Sequence, residues 1–320
     1  IIKQSSGQRT WLDLIPERRP LKIEKESDKL LNSDIFHFLL PDSGMANYED
    51  KIVKQLASAE IEHIKKWRNK FTLPFDEGEV TTLLRYSQAV EQLWRSHVKI
   101  QQRIRNRTSD IVPVFGQTEN MNQSPRTSTQ DKDKIHQQEL LSENVRNSSP
   151  YLRLKLVMDY WCSLWCWPIE KAHLLPTRDE FLMDLSLIIE GEVYEPQEMA
   201  GNQLTMMFAE TVTRQESLKL VDELGFVDVS RLCSEVPRLN LVAELTKKLH
   251  FHHWELEFAD LFALRGGFNL IVGNPPWIKV EWNESALLGD YEPLFLLRNL
   301  SAPEVAKTRN ETIIKRNLKY

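Results

Sequence analysis

The feature that most constrains the fold of this chain is a short apolar run that leads into an asparagine and two prolines. Residues Phe268 to Val272 have the length of a strand and a glycine on either side, which is typical of a buried strand in an α/β sheet. Asn274 follows at the carboxyl end of this run, where open α/β sheets bind their ligands. The sequence therefore predicts an α/β fold with a candidate site at Asn274.

The residues after the run suit the binding of an aromatic amine. The side-chain oxygen of Asn274 and the backbone carbonyl of Pro275 can both accept hydrogen bonds from such an amine, and Pro276 removes a further backbone donor. The indole of Trp277 offers a flat face on which a base rotated out of a duplex can stack. The alternative interpretation is an ordinary turn, because Asn-Pro pairs commonly start turns.

The segment from Phe268 to Trp277 resembles the fourth motif of amino-methyltransferases, in which Asn, Asp or Ser precedes two prolines and an aromatic residue. The Asn form is similar to the branch that modifies adenine in DNA. A wider frame looks like the large single-chain methylases of bacterial restriction-modification and phage-defence systems. That frame runs from Phe251–Trp254 through Phe262 to Gly266–Phe268 and includes the earlier segment His37–Met45.

This resemblance implies methyl transfer from S-adenosylmethionine, as cofactor, to the exocyclic amine of adenine in double-stranded DNA. The catalytic residues would be Asn274, Pro275, Pro276 and Trp277. The fold would be α/β, part of a Rossmann-like class I methyltransferase core that carries a large, mainly helical insertion. Restriction or defence subunits, or fused domains, would be its protein partners.

One part of the family's pattern is missing from the 320 residues. The glycine-rich cofactor loop, an aromatic-x-Gly-x-Gly pattern, does not occur, since Gly191, Gly201, Gly266 and Gly267 have a different spacing. The residues that contact the cofactor therefore stay unassigned. We expect the chain to be a piece of a longer polypeptide that is inactive by itself.

Changes in composition and periodicity divide the chain into five predicted regions. Two of them, 1–46 and 251–320, are expected to belong to the methyltransferase core, with a buried strand at 34–40 and another after an aromatic-rich stretch at 251–258. Between them we expect a helical insertion at 47–107, a flexible linker at 108–150 and a helical region at 151–250.

Apolar spacing and end signals predict six helices in the middle of the chain. They cover residues 48–70, 80–107, 151–167, 177–189, 201–224 and 236–250. The start at Thr177 is supported by Glu180 three residues later, which is the spacing of a capping box.

The charge of the chain gives no overall signature of nucleic-acid binding, because the formal net charge is −5. Contact with DNA would have to be local. The candidates for phosphate contact are spaced four residues apart on one predicted helix face: Arg95, Lys99, Arg103 and Arg107. The alternative interpretation is a solvated helix face.

The cysteines and histidines favour structural roles. Three cysteines do not make a disulfide framework, and no Cys/His cluster has the spacing of a zinc site, so we expect a reducing, cytoplasmic location and no metal. We expect His252 and His253 to be structural. Core packing is predicted for two pairs spaced by one helical turn, Trp161 with Trp165 and Cys162 with Cys166. No apolar run is long enough to cross a membrane.

Two other kinds of function remain open. The same turn could serve methylation of a glutamine side chain in a protein or of guanine in RNA, although the long helical insertion argues against those compact enzymes. The chain could also be a helical module that binds DNA or docks on a partner and has no activity of its own.

Overall fold

The computed structural model describes residues 12, 34–110, 127–140, 149–190, 228–274, 284–298, 301 and 303–309. The chain forms two compact units. The first consists of 1–50 with 54–268, and the second of 51–53 with 269–320.

The first unit is built from helices. Two 3-10 helices, His37–Leu39 and Ile169–Leu174, accompany the α-helices. In chain order these are α1 (Lys51–Leu56), α2 (Ser58–Phe71), α3 (Glu77–Thr108), α4 (Thr129–Leu140), α5 (Pro150–Trp165), α6 (Arg178–Ile189), α7 (Val229–Glu235), α8 (Pro237–Leu249), α9 (Trp254–Glu257) and α10 (Ala259–Arg265). Only the first three residues of α1 fall to the second unit.

The predicted α/β fold is wrong for the part of the chain that the structure describes, which contains helices and no strand or sheet. The predicted strand at 34–40 contains the 3-10 helix His37–Leu39 instead. Phe38 and Leu39 are buried, and side chains bond to the backbone of the segment. The Ser87 hydroxyl accepts from the Phe36 amide at 3.2 Å, and the Trp161 indole donates to the Leu40 carbonyl at 2.9 Å.

The second predicted strand, 268–272, is also absent from the described residues. Leu270, Ile271 and Val272 have no regular secondary structure and are 77%, 72% and 84% exposed. The aromatic-rich stretch before it contains α9 rather than a strand. A short apolar run indicates burial but does not distinguish a strand from a helix, and a strand also needs a neighbour that pairs with its backbone.

Four of the helix predictions are confirmed where the structure describes them. Helices α3, α5, α6 and α8 cover the predicted segments to within a few residues. Helix α6 begins with the expected capping box between Thr177 and Glu180. The predicted helix at 48–70 is divided at Ala57 into α1 and α2. The predicted helix at 201–224 lies outside the described residues.

Within 108–150, where the sequence predicts a linker, the structure has helix α4, which packs against α3. Lys132 of α4 forms an ion pair with Asp110, with an Nζ to Oδ2 distance of 2.5 Å. The Thr127 hydroxyl donates to the Arg107 carbonyl at 3.2 Å. The helix is therefore held to the end of α3 through polar contacts.

Helix α5 lies at the centre of the first unit and contacts α3, α6, α7, α8 and α9. It is apolar on most sides, so much of the surface in these contacts is hydrophobic. The residues of α5 in the core are Leu154, Leu156, Val157, Tyr160 and Leu164. Its buried Tyr160 hydroxyl donates to Asp184 of α6 at 2.8 Å, and Asp184 also accepts from Arg238 of α8.

In the second unit the structure describes α11 (Glu284–Gly289), α12 (Leu294–Leu297) and a further helix at 303–309. The Ser301 amide donates to the carboxylate of Glu304 in this last helix at 2.8 Å. The described core of the unit is small. It consists of Leu288, Phe295 and Val305.

Candidate functional site

The segment that leads to Asn274 starts from α9 and α10, and α3 holds these two helices in place. Three α3 residues, spaced by four, face them. The His97 Nε2 donates to the Leu256 carbonyl at 2.9 Å, and the Gln101 amide donates to the Glu257 carbonyl at 3.0 Å. One turn further, the Arg105 guanidinium binds both carboxylate oxygens of buried Asp260, with Nη2 to Oδ1 at 2.9 Å.

A second set of contacts holds the start of α9 against α5. The His253 ring bonds to Asp159 of α5 with an Nε2 to Oδ1 distance of 2.8 Å, and Lys155 bonds to the other carboxylate oxygen at 2.7 Å. His253 and Asp159 are both buried. The expected structural role of His253 is therefore consistent with its position, because its bond partner is a carboxylate of the core.

Phe268 ends the first unit and packs into a cluster of aromatic rings. Its ring meets those of Trp254, Phe258 and Phe262 edge to face, with centroids 5.8, 5.0 and 5.7 Å apart. Edge-to-face pairs at these distances are favourable because the positive ring edge lies over the negative face. The cluster therefore anchors the start of the apolar run.

A glycine turn directs the chain from α10 into this cluster. Gly266 is the C-cap of α10 with φ of 74°, in the left-handed region that favours glycine, and its amide donates to the Phe262 carbonyl at 2.8 Å. Gly267 follows with φ of 142°. These two positions explain why the sequence has a glycine pair before Phe268.

Asn274 itself is exposed, and so are the three aliphatic residues at 270–272. The other three predicted catalytic residues, Pro275, Pro276 and Trp277, lie outside the described residues. The structure thus places one of the four on an exposed stretch of chain and gives no geometry among them.

The described residues around Asn274 do not fit S-adenosylmethionine by themselves. Small-molecule sites enclose most of the ligand's surface between apolar walls and a few polar groups. Leu270, Ile271 and Val272 instead face solvent and so do not enclose a ligand. A cofactor held near Asn274 would need walls that these residues do not supply.

The four predicted phosphate contacts are all exposed on α3. Arg95 pairs with Glu91 of the same helix. Lys99 lies two positions from both His97 and Gln101, which is about 200° around the helix axis. The basic face of Arg95, Lys99, Arg103 and Arg107 therefore points away from the side of α3 that holds α9 and α10.

Metal binding finds no support in the residues that the structure describes, where no group of three or more His, Cys, Asp or Glu side chains could hold an ion. Exposed His252 packs edge-on against Trp254, with centroids 4.7 Å apart. All three cysteines are free. The prediction that Trp165 and Cys166 pack in the core is wrong, because both residues are exposed at the end of α5.

Of the helices that the structure describes, none combines the length and the apolar character needed to cross a bilayer.

A comparison of the chain with protein families, with curated proteins and with solved structures finds no match.

Sequence reasoning missed the polar face of α3 that holds α9 and α10. Its members, His97, Gln101 and Arg105, recur every four residues, as the basic face does. The signal was present, but a polar residue at helical spacing indicates a solvated face more often than a buried contact. Only the tertiary structure shows that the partners of this face are the carbonyls and carboxylate of α9 and α10.

Proposed function

We propose that the chain carries the adenine-binding turn of a DNA methyltransferase that modifies the exocyclic amine of adenine with S-adenosylmethionine as the methyl donor. The observation that supports this most is the exposed position of Asn274, directly before Pro275, Pro276 and Trp277. An exposed asparagine followed by two prolines can present acceptors to a ligand, because the prolines add no backbone donor of their own.

The role of the chain in this reaction is to hold the acceptor base. The lone pair of an aromatic amine is delocalised into the ring, so the amine is a weak nucleophile. Hydrogen bonds from its two N–H groups to the Asn274 side-chain oxygen and the Pro275 carbonyl return electron density to nitrogen. The Trp277 indole stacks on the base and replaces the stacking that is lost when the base leaves the duplex.

The partners that follow from this proposal are double-stranded DNA and the subunits or fused domains of a restriction-modification or phage-defence system. Such a system protects or marks the DNA of a bacterial cell, so the proposed location is the cytoplasm. The donor is held by residues other than those described around Asn274. S-adenosylmethionine supplies an electrophilic methyl group when it is bound.

A second candidate is a helical docking or DNA-binding module without activity. It is favoured by the helical character of the described residues and by the exposure of those around Asn274, which form no cofactor walls. In that case Asn274 would have no effect on any methylation. The two candidates therefore differ in whether methyl transfer requires Asn274.

The test is transfer of labelled methyl from S-adenosylmethionine to DNA by protein purified from its native source, so that any partner is retained. We expect Asn274→Ala to lower the rate by about 100-fold or more, the usual effect of removing a group that stabilises developing charge. Asn240→Ala, at an exposed position on α8, is the matched control and should keep the full rate.

Each result has a defined meaning. Label on adenine that is lost in Asn274→Ala supports the proposal. Label on protein or RNA would support methylation of glutamine or guanine instead. Undiminished transfer to DNA by Asn274→Ala would exclude the proposed role of the turn.

A further inference from the structure

A row of aromatic rings reaches the surface of the first unit at Trp254. This residue is 54% exposed, although its ring stacks on that of Phe258 with centroids 6.0 Å apart and an angle of 23° between the planes. Phe258 is half-buried and Phe262 is buried, so the row is supported from within the unit. Trp254 is thus a supported indole with much of its surface in water.

Several contacts hold this indole in one orientation. The ring planes of His252 and Phe268 stand almost perpendicular to it, at 88° and 86°, with centroids 4.7 and 5.8 Å away. The helix that carries the indole, α9, is bound to His97 of α3 through the Leu256 carbonyl. A ring that is already held in place loses little conformational freedom when a ligand binds to it, so more of the contact energy appears as affinity.

Exposed cations lie close to the row in the helices on both sides of it. Arg265 is exposed and follows Phe262 by three residues on α10, and residues three apart are neighbours on a helix surface. Lys247 and Lys248 are exposed in the last turn of α8, shortly before α9. Sites for single-stranded nucleic acid combine these two features, because bases stack on aromatic rings while cations neutralise the phosphates.

The acidic side chains of α9 and α10 leave this surface suited to negative charge. Asp260 is buried and bound by Arg105 of α3, and Glu257 accepts from a tyrosine hydroxyl of α5 at 2.6 Å. Glu255 follows Trp254 directly, so its side chain is directed about 100° away around the axis of α9. The charge around the indole therefore complements a phosphate backbone.

We propose that Trp254 is a stacking site for an unpaired base of single-stranded nucleic acid, and that Arg265 binds a phosphate of the same strand. Bases in a duplex are already stacked and paired, so the ligand is a single strand. The proposal does not rest on methyl transfer, because it involves neither a cofactor nor Asn274.

The size of the exposed ring surface favours a base over a protein partner. An aromatic side chain buries about 150–250 Å² in total, so the exposed part of Trp254 offers on the order of 100 Å². A stable protein interface needs about 800 Å² from each partner. Phe258, Phe262 and Phe268 add little to this surface, because none of them is exposed. A single nucleobase needs only one ring face.

The first experiment measures binding of a short, fluorescently labelled single-stranded DNA to the 320-residue chain by anisotropy. Trp254→Ala should raise the Kd by about tenfold, the usual effect of losing one stacked base. Trp254→Phe keeps a ring and should recover most of the affinity. The matched control is Leu264→Ala, because Leu264 is 52% exposed but lies about 200° around α10 from Phe262. This control should leave the Kd unchanged.

The phosphate contact is tested through the salt dependence of the same binding. Arg265→Gln should make a plot of log K against log salt less steep by about 0.7, the contribution of one phosphate on a single strand. Trp254→Ala should keep the slope, because a base carries no charge. An unchanged slope in Arg265→Gln would overturn the proposed role of Arg265.

Other nucleic-acid probes test whether the base must be unpaired. Trp254→Ala should not change the Kd for the duplex of the same sequence, because its bases are inaccessible. An equal loss of affinity for the duplex and the single strand would overturn the proposal. RNA of the same sequence identifies the source of the base, and Trp254→Ala must weaken whichever single strand binds more tightly.

The last measurement uses the unsubstituted chain, so it does not depend on whether a variant folds. Photo-crosslinking of a single strand that contains bromouracil, followed by peptide mass spectrometry, should attach the base to the peptide that contains Trp254. Crosslinks confined to other peptides would overturn the proposal, and so would the absence of binding to either single strand. An unchanged Kd for Trp254→Ala that melts like the unsubstituted chain would also overturn it. Loss of a dimer in Trp254→Ala, seen by sedimentation, would instead identify a second copy as the occupant.

Discussion

At the scale of single residues, His97 connects the stability of the first unit to pH. The ring is buried beneath α9, and its Nε2 donates to the Leu256 carbonyl. Burial lowers the pKa of His97 below its ordinary value of 6.5, because the charged ring is poorly solvated there. The folded protein therefore disfavours protonation of a group that the unfolded chain protonates readily.

The sign of the pH effect follows from this difference. Below pH 6.5 the unfolded chain binds a proton at His97 and the folded protein does not, so the free energy of unfolding falls as the pH decreases toward the folded pKa. The slope is at most about 1.4 kcal/mol per pH unit for one such group. We expect His97→Gln, which keeps a neutral donor, to reduce this slope between about pH 7 and pH 5 in urea denaturation.

His37 provides the comparison within the same protein, because desolvation also lowers its pKa, but the residue is exposed and its contribution should be smaller than that of His97. The His97→Gln variant should therefore keep a remaining pH dependence from His37, which His37→Gln removes in turn. An unchanged slope in His97→Gln would show that protonation of His97 does not contribute to acid destabilisation.

The role of His97 could not be predicted from the sequence, although its position on α3 could. The apolar spacing of α3 places Leu83, Val90 and Trp94 in the core, and all three are buried. His97 continues the buried side of the helix, but a histidine at that position gives no indication of its partner. The partner is a carbonyl 159 residues further along the chain.

At the scale of elements, a buried ion-pair network joins three helices of the core. The Asp184 side chain of α6 is fully buried and accepts from the Tyr160 hydroxyl of α5 and from Arg238 of α8, the latter at 2.5 and 2.9 Å. Arg238 also bonds to Glu180 at 3.1 Å. Removing the guanidinium leaves a buried carboxylate without its counter-charge.

We expect Arg238→Met to lower the free energy of unfolding by about 3–5 kcal/mol, the usual effect of breaking one half of a buried pair. Arg231→Met, on the exposed surface of α7, is the control and should change it by less than about 0.5 kcal/mol. Adding Asp184→Asn to Arg238→Met should recover part of the loss, since it removes the isolated charge. A loss as small as that of the control would show that the carboxylate is solvated or protonated.

The accuracy of the sequence predictions also differs between kinds of element. Helix ends carry local signals, and the Thr177–Glu180 capping box correctly located the start of α6. Strands depend on a partner that the local sequence does not name. The apolar runs at 34–40 and 268–272 were therefore wrongly predicted as strands. One is held by side chains from α3 and α5, and the other contains the exposed residues Leu270, Ile271 and Val272.

At the scale of the whole molecule, the net charge limits how the protein can bind DNA. A chain with a formal net charge of −5 repels phosphate at long range, so binding depends on a local basic surface. The basic face of α3 is the surface that the sequence predicts. On it, Lys99 and Arg103 are exposed on the side opposite the contacts with α9 and α10, and Arg95 already has a carboxylate partner.

We predict that Lys99→Ala combined with Arg103→Ala weakens DNA binding to a similar extent for every sequence, because phosphate contacts carry no sequence information. A plot of log K against log salt should become less steep by about 0.9 for each phosphate that the protein no longer neutralises.

The control is Lys65→Ala with Lys66→Ala, which removes two exposed charges from α2 and so makes the same change in net charge. Equal slopes for the two double variants would mean that only net charge matters and that the α3 face is solvated. Weaker binding confined to the α3 variant would place the DNA backbone along α3. Because this face points away from α9 and α10, that backbone would run on the other side of α3 from the helices that anchor the candidate turn.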